Sequence, residues 1–119
     1  MWSGLPRILR SKKACDVYKS NDVAAFLQNC RNNRLKKNVD DAFQLLWNDY
    51  LSGVKVPKQQ IPPSYVRKFG HKHNLYLLDL VEGWRMTYLL SSCTVHPQGV
   101  RVDIVEVLSH PEYERRFGY

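Results

Sequence analysis

The spacing of apolar positions changes along this chain, from a helical repeat in the first half to an alternating one near the end. Over residues 20–31, Val23, Phe26, Leu27 and Cys30 share one face, with Ser20, Asn21 and Asp22 as capping candidates ahead of them. That spacing predicts a helix over 20–31. After a basic turn at Asn32–Lys37, the residues Val39, Ala42, Phe43, Leu46, Trp47 and Tyr50 recur at intervals of three and four. They predict a second helix over 38–52, stopped at Gly53. A short polar turn between two such helices favours an antiparallel pair, and Phe26, Phe43 and Trp47 are expected in the core.

Pro57, Pro62 and Pro63 bar a helix from Val54 to Pro63, and a short Pro-initiated turn is expected over Pro63–Phe69, closed by Gly70. Beyond His73 the pattern turns to strands: Asn74–Leu80, Trp84–Ser91 and Val100–Leu108, joined by turns at Val81–Gly83 and Thr94–Gly99. Alternation puts Trp84, Met86, Tyr88 and Leu90 on one face, and Arg85, Thr87, Leu89 and Ser91 on the other. Ser109-His110-Pro111-Glu112 has the form of a capping box, so a short helix follows and ends at Gly118. The fold class expected is α+β, one domain over 1–119. Two N-terminal antiparallel helices pack on a C-terminal antiparallel β-sheet, and a short C-terminal helix closes the chain.

Charge adds direction to this picture. Eighteen Lys and Arg against eleven Asp and Glu leave a formal +7. Residues 1–75 hold fourteen basic and five acidic residues, and 76–119 hold four and six, so the two parts carry +9 and −2. A basic face of this kind suits a polyanion or an acidic protein partner, and serves equally as a solvated surface. No apolar run is long enough to span a bilayer, and Met1 to Arg10 has no apolar region of the secretory kind, so a cytoplasmic protein without a membrane partner is expected. Cys15, Cys30 and Cys93 are odd in number and widely spaced, and are expected as reduced thiols. His71 and His73 form a lone HxH without a third ligand at sensible spacing, so neither a metal nor a cofactor is expected.

The run from Asn74 to Tyr88, with its Gly83-Trp84-Arg85-Met86-Thr87-Tyr88 core, resembles the central hairpin of RelE/ParE-superfamily toxins. The strand Val102–Leu108 followed by Ser109-His110, the tail from Ser109 to Tyr119, and Ile61-Pro62-Pro63-Ser64-Tyr65 are similar to a RelE-like subgroup of that family. The likeness covers roughly residues 54–119. It implies a toxin of a toxin–antitoxin pair, partnered by a cognate antitoxin and acting on mRNA on the ribosome. The reaction implied is attack of a 2′-hydroxyl on the adjacent phosphate, leaving a 2′,3′-cyclic phosphate. Two other readings stay open. One is a ParE-like, non-catalytic protein directed at gyrase, and the other is a degenerate member that binds RNA without cutting it.

The resemblance puts Arg85 at the family's arginine, where a guanidinium can hold the scissile phosphate and stabilise its growing charge. An ion pair with Asp79 or Asp103 is the structural alternative. His110, just past the last strand, could move the proton of the 2′-hydroxyl or of the leaving 5′-oxygen. Tyr113, one turn on, could donate a proton, stack on a base, or simply tie the helix to the sheet. Arg67, Lys68, Lys72, Arg101 and Arg115 are the residues expected to position RNA through its phosphates.

Overall fold

A computed structural model describes residues 11–70, 74–93 and 99–118. The described residues form an α+β domain with a five-stranded mixed sheet. The elements are strand β1 (Asp16–Lys19), helices α1 (Asn21–Asn29) and α2 (Asn33–Asn48), strand β2 (Val54–Lys55) and helix α3 (Pro63–Phe69). Strands β3 (Asn74–Asp79), β4 (Arg85–Ser92) and β5 (Val100–Leu108) follow, then helix α4 (His110–Phe117). The strand order is β1-β5-β4-β3-β2. The meander β3-β4-β5 is antiparallel as expected, and α3, α4 and the Val81–Gly83 turn stand where the sequence put them. The turn expected over Thr94–Gly99 lies, apart from Gly99, outside the described residues.

The sheet is not purely antiparallel, because β1 joins its edge in parallel to β5, pairing Val17 with Val102. With four residues and only partial burial, β1 carries too little alternation to be seen in sequence. The first two helices are also shifted. Asn32 accepts the Leu35 amide at 3.1 Å and starts α2 inside the basic stretch read as a turn, while α2 ends at Asn48, before Gly53. Leu35, fully buried, extends the Val39–Leu46 stripe one turn backward. Trp47 lies on the outer side of α2, exposed and not in the core.

Helices cover both faces of the sheet. On one face α1 and α2 bring Val23, Leu27, Leu35, Val39, Ala42 and Leu46 onto Met86, Tyr88, Leu90, Val102 and Ile104. On the other, Tyr65 of α3 packs with Leu75, Leu89 and Val105, and Phe69 and Phe117 close over them. The alternation expected along β4 therefore holds: Met86, Tyr88 and Leu90 face α1 and α2, while Leu89 faces α3.

A bulge between Thr87 and Tyr88 and the facing strand changes the parity of β5. Thr87 pairs with Glu106 and Tyr88 with Ile104, leaving Val105 as the extra residue. Val105 and Glu106 consequently both turn toward α3 and α4, as bulges commonly re-aim a side chain. Ser20, the N-cap of α1, ties this spot down by donating its hydroxyl to the Val105 carbonyl at 2.7 Å.

Gly53 sits where a side chain would not fit: a Cβ there would lie 2.6 Å from the Leu77 carbonyl oxygen and 2.7 Å from Tyr88 Oη. The Gly53 amide donates to Tyr88 Oη at 2.9 Å, and that hydroxyl donates to the Tyr50 carbonyl at 3.0 Å. Burial pushes the Tyr88 phenol up to about 12 from an ordinary 10.0. A raised phenol contributes stability that is complete below pH 10 and lost as pH rises from about 10 to 12. Tyr65, pushed up by burial and then by its bond to Glu106, acts in the same direction. Urea midpoints taken from pH ~9 to ~12 should fall steadily, and Tyr88→Phe should flatten that fall while lowering the midpoint at pH ~8. An unchanged slope in that variant would remove Tyr88 from the alkaline transition.

The sulfurs of Cys15 and Cys93 are joined, with Cα atoms 6.5 Å apart, whereas reduced thiols were expected. Cys15 precedes β1 and Cys93 follows β4. The two meet because the Cys15 amide donates to Val100 and the Cys93 amide to Gly99, both at the start of β5 or beside it. Cys30 is a free, half-buried thiol. Among the described residues, no helix is long and apolar enough to cross a membrane.

Candidate functional site

The turn at Val81–Gly83 and the start of α4 meet at one end of the sheet, and the meeting point is Gly83. Its carbonyl accepts from Arg85 Nη1 at 2.8 Å. A Cβ on Gly83 would stand 3.2 Å from His110 Cβ, so this glycine lets the first residue of α4 pack on the turn. Its φ of +80°, next to Glu82 at +56°, suits a residue without a side chain. Position and conformation both call for glycine.

Arg85 is the centre of this region. Its Nε lies 2.9 Å from Asp79 Oδ1, directly across the β3-β4 ladder, and Nη1 also reaches the Trp84 carbonyl at 3.3 Å. The guanidinium carbon stands 5.1 Å from the centre of the Tyr113 ring, a cation–π distance. The side chain is mostly buried, whereas that of Asp79 is 82% exposed, so the pair opens to solvent on the aspartate side. No described hydrogen bond uses Nη2. Arg85 and Tyr113 line a cleft of about 370 Å³ whose other walls are Ser52, Gly53, Val54, Leu77, Leu78 and Asp79.

Ser109 builds the start of α4. Its hydroxyl accepts the Glu112 amide while Glu112 Oε1 accepts the Ser109 amide at 3.1 Å, which is the reciprocal capping box expected. This fixes His110 at the first helical position. Its Nε2 lies 2.6 Å from Glu114 Oε1, one turn on, and the imidazole is about half exposed. Of the three residues expected to do chemistry, Arg85 and Tyr113 pack on each other in the cleft, whereas His110 lies by the Gly83 turn and is not among the residues lining that cleft. Asp79, read only as a possible ion-pair partner, is part of the same cleft.

The residues expected to position RNA do not form one surface. Arg101 is held by Asp103 at 2.9 Å and lies 3.8 Å over the Tyr18 ring, on the β1 side of the sheet. Lys68 stands 3.6 Å from Asp22 of α1 and 6.0 Å over Phe69. Arg67 and Arg115 are both exposed and share a second cleft, between α3 and α4. Lys72, like His71 and His73, lies outside the described residues. Among the described residues no group of three or more His, Cys, Asp and Glu is placed to hold a metal ion.

Beneath α3 and α4 lies a part-buried polar network that sequence reasoning missed. The Tyr65 hydroxyl bonds to the Glu106 carboxylate and stands 3.1 Å from Thr87 Oγ1, and Arg116 Nη1 donates to both Glu106 oxygens at 2.6 and 2.7 Å. The alternation of β5 gave no hint of it, since only the bulge turns Glu106 to this face. Compared with protein-family models, with curated proteins and with solved structures, the chain finds no match in any of the three.

Proposed function

We propose that this protein is a RelE-like toxin that cuts mRNA on the ribosome and is held inactive by a cognate antitoxin. The observation that carries the reading is the packing of Arg85 on Tyr113 in an open cleft, with His110 at the start of α4 next to the Gly83 turn. Cleavage needs a cation on the phosphate, a group that takes the 2′-hydroxyl proton and a group that returns one to the leaving oxygen. Arg85 Nη2 is the cation for a nonbridging phosphate oxygen. The 2′-oxygen forms a bond to phosphorus as its proton passes to His110, and the bond from phosphorus to the 5′-oxygen breaks. That oxygen takes a proton from Tyr113 or from the imidazolium, and the product is a 2′,3′-cyclic phosphate. The Tyr113 ring lies against Arg85 at 5.1 Å and against Phe117 at 4.8 Å, and so holds the guanidinium in place. A cytosolic setting goes with this reading, and there the Cys15–Cys93 bridge would meet reducing thiols.

The test is primer extension on a message translated in a reconstituted system, with the protein and with Arg85→Ala. Codon-phased cuts with cyclic-phosphate ends are expected, reduced ~100-fold or more in the variant, the range for losing one preorganised charge-stabilising donor. An uncut message with the native protein would overturn the proposal. One observation favours a second reading. Arg85 is already paired with Asp79, as it would be in a toxin-fold protein that binds a protein target such as gyrase and cleaves nothing. That reading expects gyrase binding, an intact message and no effect of Asp79→Asn on RNA.

A further inference from the structure

The second cleft, of about 430 Å³, lies between α3 and α4 and includes Arg67 and Arg115, two of the residues expected to position RNA. Its walls are Pro63, Ser64 and Arg67 from α3, and Glu112, Arg115 and Arg116 from α4. Three guanidiniums from two helices thus border one space. Arg116 is preorganised, because Glu106 takes only Nη1 and no described hydrogen bond uses its Nε or Nη2. Arg67 and Arg115 have no ion pair among the described residues. Ser64 supplies an independent sign: its hydroxyl oxygen is buried and has no hydrogen-bond partner among the described residues. Such a group is costly to leave unsatisfied, and a turn about χ1 would present it to the cleft it lines.

We propose that the α3–α4 cleft is a phosphate-binding site, with Arg67, Arg115 and Arg116 holding the oxygens and Ser64 donating its hydroxyl. The chemistry separates phosphate from carboxylate. A carboxylate offers two oxygens in one plane, enough for one guanidinium fork, whereas three forks and a hydroxyl suit a tetrahedral group with three or four oxygens. Glu112 works against any anion, and Glu106 already offsets the charge of Arg116. Glu112 Oε1 is held by the Ser109 amide and hydroxyl, which keeps the carboxyl below its usual range and therefore ionised. The phosphate could be a strand's backbone phosphodiester or a terminal phosphomonoester. The site stands whether or not the Arg85 cleft cuts RNA.

The experiment is a titration followed by NMR, reading arginine Nε–H signals and the Ser64 amide of the full chain. The probes are inorganic phosphate, acetate, adenosine, adenosine monophosphate and a single-stranded RNA octamer without a terminal phosphate. Phosphate and adenosine monophosphate should shift the Arg67, Arg115 and Ser64 signals, and adenosine and acetate should not. The double variant Arg67→Ala/Arg115→Ala should weaken phosphate at least ~10-fold with the core signals unmoved. Glu112→Gln, which keeps a capping-box residue, should tighten it several-fold. Stronger binding of the octamer than of the monophosphate assigns the site to backbone phosphates, and the reverse order to a terminal one. Equal shifts from acetate, or phosphate binding untouched by the double variant, would overturn the proposal. Neither depends on whether a message is cut.

Discussion

Replacing Glu106 with alanine is expected to cost about 2–3 kcal/mol of folding stability, the range for removing a hydrogen-bonded charged partner from a part-buried site. The side chain is 15% exposed and serves two groups at once, Arg116 from α4 and the Tyr65 hydroxyl from α3. Alanine would leave the guanidinium half-buried without its counter-ion and the phenol with Thr87 alone. Glu106→Gln separates the contributions, since the amide can still accept from Tyr65 but cannot balance Arg116. Urea unfolding should therefore rank native above Gln above Ala. If Ala and native unfold at the same midpoint, the network does not hold α3 and α4 to the sheet.

Reduction of the Cys15–Cys93 bridge should lower stability by roughly 4 kcal/mol, because it frees a loop of 78 residues in the unfolded chain. The bridge is also local in effect. It fastens the start of β1 to the end of β4 across β5, so the reduced protein should lose protection first in β1. Hydrogen exchange in oxidised and reduced samples, beside a Cys15→Ser/Cys93→Ser variant, would show this. Equal exchange of the β1 amides in all three would mean that pairing with β5 suffices to hold the strand. For a protein working among reducing thiols, such a loss would set how much of it is folded.

How much of this was legible in the sequence follows from how local each signal is. The capping box at Ser109 and Glu112 is complete within four residues, and it was read correctly to the residue. The two faces of β4 could be read because alternation runs unbroken through a strand of eight residues. Where the determinant is distant, the reading failed. β1 is a strand only because β5 offers it an edge, and the bridge pairs cysteines 78 residues apart. The bulge at Val105 reverses the parity that alternation assumes, so Glu106 was hidden from any count of positions. In the Arg85 cleft, the residue types were visible from the likeness to a toxin hairpin. The closeness of His110 to the Gly83 turn and that of Tyr113 to Arg85 were not, since they depend on how α4 returns to the turn.

The parallel pairing of β1 with β5 also has a consequence for how the molecule is made. Ser20 and its partner Val105 are 85 residues apart, so the N-terminal strand has no edge to join until β5 has left the ribosome. At the usual pace of synthesis that is a wait of roughly 4–17 s. Through it the apolar stripe of Val23, Leu27, Leu35, Val39 and Leu46 has no sheet to cover it. The nascent chain thus passes through a state in which its first half is open to a chaperone or a binding partner. Closure of the first core is an event of the last strand.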